Sequence, residues 1–148
     1  VGQYIGSDEL PKAIRSGHSS LKMGFLYTLF IGTVFMVFPD ELVALINSDP
    51  EVVRLGSSIV RLAAIFQLSD GLGIVSNGCL RGAGDTRWAM FIGIGYAWFL
   101  FLPLAYLGGF VFKGGAVGAW VGATLYITAL GLSFFFRFRS GKWQSIKI

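Results

Sequence analysis

Hydrophobic residues in this chain come in long runs, with no polar alternation inside them. Met23 to Phe38 is apolar and is stopped by Pro39. Leu62 to Leu80 is interrupted by one acid, Asp70, and Trp88 to Phe112 and Gly114 to Phe136 carry no charge. Runs of this length match the roughly 20 residues an α-helix needs to cross hydrocarbon. They lack the period of two that marks strands, including those of an outer-membrane barrel. The pattern predicts an all-α polytopic membrane protein with four transmembrane helices at about 19–38, 55–80, 88–111 and 115–137. The first is short unless Ser19 to Lys22 extend it, with Lys22 reaching back to the interface.

The joins fit helices. Asp40 to Asn47 is a short amphipathic stretch suited to the membrane surface. Asp49-Pro50-Glu51 reads as a helix start, with Asp49 as cap, Pro50 in the first turn and Glu51 at the positive end of the dipole. That helix is expected to run to about Leu80, longer than a bilayer requires. Arg81-Gly82-Ala83-Gly84 would end it, and Asp85 would cap the next. The connection near Gly108 to Gly115 is short enough to make the last two spans antiparallel neighbours.

Composition agrees. Charged residues are 14% of the 148 and hydrophobic ones 54%, against about 25% charged in soluble domains. With a mean hydropathy of +0.67, this excludes a disordered chain, a nucleic-acid module and an ordinary soluble enzyme. One Cys, Cys79, and one His, His18, leave no basis for a disulfide framework, a zinc site or a Ser/His triad; they read as a packing and an interfacial residue. The opening at Val1, in mid-motif, reads as the start of a fragment or a processed chain, and no signal-peptide pattern follows it. The net charge of +4 reads as basic membrane flanks. Four spans put Lys12, Arg15, Lys22, Arg81, Arg87, Arg137, Arg139, Lys142 and Lys147 on one side, and Arg54, Arg61 and Lys113 on the other. That asymmetry predicts cytoplasmic termini.

Asp70 is the most informative side chain. A charged Asp at bilayer depth costs about 2.5–3.5 kcal/mol on insertion scales, and such acids face a bundle interior or a wet cavity. Helical spacing puts Phe66, Asp70, Gly73 and Asn77 on one stripe, with Gln67 beside it. Asp70 is thus a candidate carrier of a proton or Na⁺; the competing reading is a protonated acid that packs against a neighbour. The loop residues Arg81, Gly82, Gly84, Asp85 and Arg87 read as a tight turn, or as a gate latch in which Arg and Asp exchange partners. A phosphate cradle does not fit, because the third glycine, the Lys and the preceding strand are missing. Gly114, Gly118 and Gly122 form a small-xxx-small packing ridge. Gly71, Gly73 and Gly78 flank Asp70 and suit either local unwinding or close packing. Pro103 should kink the third span. Trp88 and Trp143 sit where interface anchors are expected, and Trp98 and Trp120 lie deeper, as candidates to line a cavity for flat organic cations.

Several of these residues together resemble the C-terminal third of a MATE (multidrug and toxic compound extrusion) transporter, NorM-like. The resemblance rests on Val1-Gly2-Gln3 with Gly6, Asp49-Pro50-Glu51-Val52, Gln67 and Asp70 ahead of Leu80-Arg81-Gly82-Ala83-Gly84-Asp85-Thr86, Leu102-Pro103-Leu104-Ala105-Tyr106, Gly118-Ala119-Trp120, and Ser140-Gly141-Lys142-Trp143. It implies the end of helix 8 and helices 9 to 12, in the C-terminal lobe of a twelve-helix transporter, with a cytoplasmic tail at 138–148. It also implies export of organic compounds by alternating access, driven by Na⁺ or H⁺, with Asp70 on the position of a coupling acid. A Tyr that contributes one turn earlier in some members is Phe66 here.

The expected activity is therefore that of a fragment of a secondary active multidrug exporter in the inner (plasma) membrane, and not that of an enzyme. Its coupling-ion residues would be Asp70, Gln67, Phe66 and Asn77. No cofactor is expected beyond the coupling ion. Expected partners are membrane lipids, the rest of the transporter (the N-lobe and helices 7–8) and small organic cations, with no nucleic acid. The rival readings are a lipid-linked oligosaccharide flippase, disfavoured because no span holds a central Lys or Arg, and a non-transporting membrane scaffold.

Overall fold

The structure, a computed structural model, describes residues 1–146. Lys147 of the expected tail lies outside the described residues. The described residues form helices α1 (Gly2–Gly6), α2 (Leu10–Val37), α3 (Pro39–Ala44), α4 (Pro50–Gly82), α5 (Thr86–Tyr96), α6 (Leu102–Tyr106) and α7 (Gly115–Arg139). Two π-helical segments, Ala97–Phe101 and Leu107–Val111, join α5 to α6 and extend α6. Thr86–Val111 is therefore one continuous helical rod. With α2, α4 and α7 it makes four helices long and apolar enough to cross a membrane.

The boundaries differ most at α2. It starts at Leu10, well before residue 19, with Pro11 in its first turn. The added turns are polar outside, but bury Ala13 and Gly17, so packing extends the helix beyond the hydrocarbon run. The start of α4 follows expectation, since the Asp49 carboxylate accepts the N–H of Glu51 at 2.8 Å and of Val52 at 3.4 Å. Its end is a glycine stop. Gly84 has φ +85°, the Asp85 N–H donates to the Leu80 carbonyl at 2.9 Å, and the Gly84 N–H donates to the Arg81 carbonyl at 3.1 Å.

Pro103 does not break its span. The five residues before Leu102 widen to a π-helix, and the Leu102 N–H reaches back to the Ala97 carbonyl. The widened turn absorbs the donor that proline removes.

α4 is the central helix, with α2 on one side and α7 on the other. Gly71 lies against Thr28 of α2, and Gly73 meets the backbone of Gly131 on α7. α4 is unbroken through this region, so these two glycines serve close packing and not unwinding. The Ser69 and Thr128 hydroxyls pair at 2.9 Å across the α4–α7 seam. A buried cluster of Cys79, Leu80, Ala83, Ala89, Leu130, Phe134, Phe138 and Trp143 closes the end of the bundle that carries the α4–α5 turn.

The glycine ridge of α7 packs as the spacing predicts. A Cβ at Gly118 would run into the Gly108 carbonyl, one at Gly114 would come within 2.7 Å of the same oxygen, and one at Gly122 within 2.7 Å of the Leu104 backbone. Gly118→Ala should therefore lower the unfolding midpoint of the detergent-purified chain, with a loss of roughly 1–3 kcal/mol from overpacking. Gly93→Ala, whose Cβ meets nothing within 4 Å, should leave it unchanged. Equal midpoints for the two variants would refute this packing.

Candidate functional site

α4 carries three stripes with different fates. Ala64 and Gly71 face α2, and Ser69 and Gly73 face α7. The third stripe runs through Gln67, Asp70, Asn77 and Arg81, with Ile74 exposed among them. Gly73 leaves the expected polar stripe and Ile74 takes its place. Position 73 falls back toward the side of Ser69, because three residues are less than one helical turn.

Asp70 is half-buried and makes no hydrogen bond or ion pair with any described residue. It lies roughly 18 Å along the axis from Gly82, at about 1.5 Å per residue, which is mid-depth for hydrocarbon about 30 Å thick. Gln67 and Asn77 are half-buried on the same side, and the Asn77 Oδ1 is buried without a partner. The arrangement offers one carboxylate and two amides on an open helix face.

Phe66, one turn from Asp70, leads into an aromatic cavity of about 400 Å³ between α4, α6 and α7. Phe66, Phe101, Trp120 and Tyr126 line it, with small alanines between them. Phe66 and Trp120 meet edge to face, centroids 5.8 Å apart, and Phe101 and Tyr126 lie 5.2 Å apart. Trp120 thus sits where a flat apolar or cationic ring could stack. Trp98 does not: it is 65% exposed and lies outside this cavity, although Phe101 of the same turn lines it. Phe101 and Tyr126 were not singled out from the sequence. Their signal was present in their aromatic character, but only the packing of α6 on α7 brings them together.

The turn after α4 holds a different chemistry. Asp85 occupies the N-cap position of α5, yet its side chain does not cap. It is 4% exposed, and its Oδ2 accepts the Arg137 Nε–H at 2.8 Å. The Arg137 guanidinium also lies over the Trp88 ring, 5.0 Å from its centroid. This corrects the expected cap, since the Asp85 side chain is taken by the last turn of α7. The sequence held one signal: Asp85 is the sole acid after Asp70, but several cations compete for it. Arg81 and Arg87 are exposed and have no acidic partner among the described residues. Gly82 abuts the backbone of Gly2, so it serves a close approach to α1.

Trp143 is also corrected. It is 2% exposed, not an interface anchor. Gly141, at φ +71°, turns the chain back, the Trp143 indole N–H donates to the Phe138 carbonyl at 2.7 Å, and the ring stacks on Phe138 with centroids 5.2 Å apart.

The MatE family model matches residues 1–107. The chain belongs to the MatE family. It is 33% identical over 143 residues to the multidrug resistance protein MdtK of Yersinia pseudotuberculosis serotype O:1b (strain IP 31758), covering 94% of this chain and 31% of that protein. MdtK of Yersinia pestis (strain Pestoides F) matches with the same identity and coverage. MdtK of Yersinia enterocolitica serotype O:8 / biotype 1B is 32% identical over 143 residues, with the same shares covered. The chain thus spans about a third of the length of the curated relatives it matches. No solved structure matches it. Within this MatE chain, the α4 stripe and the aromatic cavity are the features open to a ligand from within the bundle.

Removing one partner of the Asp85–Arg137 pair leaves an uncompensated buried charge, at a cost of about 3 kcal/mol. Asp85→Asn and Arg137→Gln should each lower the unfolding midpoint in detergent, and the double variant should lose less than the sum of the two. Strict additivity in that double-mutant cycle would show that the pair contributes nothing.

Proposed function

We propose that this chain is the C-terminal part of a secondary active exporter of organic compounds, and that Asp70 is its coupling-ion ligand. The observation that carries the reading is an unpartnered carboxylate at mid-depth on the open face of α4, in a MatE chain whose relatives are named multidrug resistance proteins. An acid kept for packing would be tied to a neighbouring helix. Asp70 has no such tie, and Gln67 and Asn77 add amide oxygens along the same face. A cation or a proton arriving there would neutralise the carboxylate and change how α4 packs against the rest of the transporter. This is the differential interaction that alternating access requires.

The aromatic cavity supplies the organic side of the exchange. Trp120 and Phe66 present π-faces for a flat organic cation, and Phe66 joins the cavity to the Asp70 turn. On this reading the chain provides four of the twelve spans, with both termini in the cytoplasm. The N-lobe and helices 7–8 are its partners, and no chemical bond is made or broken in the cycle. Nine of its twelve Lys and Arg residues lie on the side assigned to the cytoplasm.

Asp70→Asn in the full-length parent should abolish efflux of a fluorescent cationic dye from cells while membrane expression stays at the wild-type level. Asp70→Glu should restore part of it. Wild-type efflux by the Asn variant would remove Asp70 from the mechanism.

A further inference from the structure

The α4–α5 turn builds a pocket that shares only Asn77 with the face assigned to transport. It has a volume of about 420 Å³ and is lined by Asn77, Arg81, Thr86, Arg87, Ala89 and Met90. Two guanidinium groups share it with no acid. Asp85, the one acid in the turn, is buried and paired with Arg137 of α7 at 2.8 Å. Two like charges held in one small space, with their nearest counter-charge taken elsewhere, favour an anion between them.

The rest of the lining narrows the ligand. Thr86 contributes a hydroxyl donor. Arginine forks match the oxygens of a phosphate. Position points the same way. Arg81 is in the last turn of α4 and Arg87 in the first turn of α5, where two membrane-spanning helices end and headgroup phosphates lie. Met90, in the pocket wall, and Ile94, one turn further along α5, are exposed, an apolar lane in the direction acyl chains would run.

We propose that Arg81 and Arg87, with Thr86, form a binding site for a phosphate-bearing anion at the α4–α5 turn. A phospholipid headgroup and free phosphate share this chemistry, and the apolar lane favours the lipid. The site is separate from Asp70, and it stands whether or not Asp70 couples transport.

Native mass spectrometry of the full chain in detergent tests it. Phosphatidylglycerol is the probe, zwitterionic phosphatidylcholine of the same acyl length is the comparison, and circular dichroism checks folding. The wild-type chain should retain phosphatidylglycerol over phosphatidylcholine. The double variant Arg81→Gln with Arg87→Gln should lose that retention by roughly tenfold. Arg15→Gln with Lys22→Gln, which removes two cations from α2, should keep it. Where the double variant does not fold, the single variants carry the test, each with a partial loss. Inorganic phosphate added as competitor separates the sources. If it displaces the lipid at low concentration and binds with the same arginine dependence, the site is a free-phosphate site; if it does not compete, the lipid is the ligand. No preference for phosphatidylglycerol together with no arginine-dependent phosphate binding would overturn the proposal. So would equal losses in the α4–α5 and α2 variants, which indicate general surface charge.

Discussion

Two helices surrounded by lipid gain little from hiding apolar side chains, because the lipid is as apolar as they are; what holds them is close contact and hydrogen bonding. The seam between α4 and α7 meets that condition. Gly73 and Gly131 bring the backbones together, and Ser69 pairs with Thr128. This contact fixes the rotation of α4 about its axis. Once Ser69 and Gly73 face α7, and Ala64 and Gly71 face α2, Asp70 has one direction left. The candidate site is thus a consequence of where α4 is packed.

The bundle is not equally firm along its length. At the α4–α5 turn, the Gly84 stop, the Asp85–Arg137 pair and the folded-back Trp143 tie α4, α5 and α7 into one buried cluster. Toward the other end, the α5–α6 rod passes through two π-helical segments, and the aromatic cavity opens beside them. π-helical turns are rare and recur at functional sites. The glycine ridge of α7 still holds this rod at backbone distance. One end is tied by a buried ion pair, and the other by close backbone approach and aromatic contacts around the cavity.

The spans were legible in the sequence because hydrocarbon demands length and apolarity, and both are visible residue by residue. The Asp49 cap, the Gly84 stop and the α7 ridge were legible for a similar reason, since each is a local pattern with a local cause. Asp70 stood out as an acid in an apolar run. What escaped were relations between distant elements. Nothing local says that Asp85 leaves its helix start to meet Arg137, that Trp143 turns inward, or that Trp98 lies outside the cavity while Trp120 lines it. The start of α2 escaped because its first turns are polar on their outer side and pack only through Ala13 and Gly17.

Asp70 and Asp85 are the only acids from residue 70 onward, and the fold treats them in opposite ways. Asp85 lies near the membrane boundary, where water could have solvated it at small cost, yet it is buried and neutralised by Arg137. Asp70 lies at mid-depth, where an unpaired charge is most expensive, and no described residue neutralises it. A chain selected only for a stable scaffold would arrange this the other way, pairing the deep acid and leaving the shallow one to solvent. If Asp70 is the coupling acid proposed above, the inversion follows, because its partner is then the ion and not a residue of these four spans. An acid that must take up and release a small cation cannot keep a permanent arginine, whereas an acid that anchors a turn gains from one.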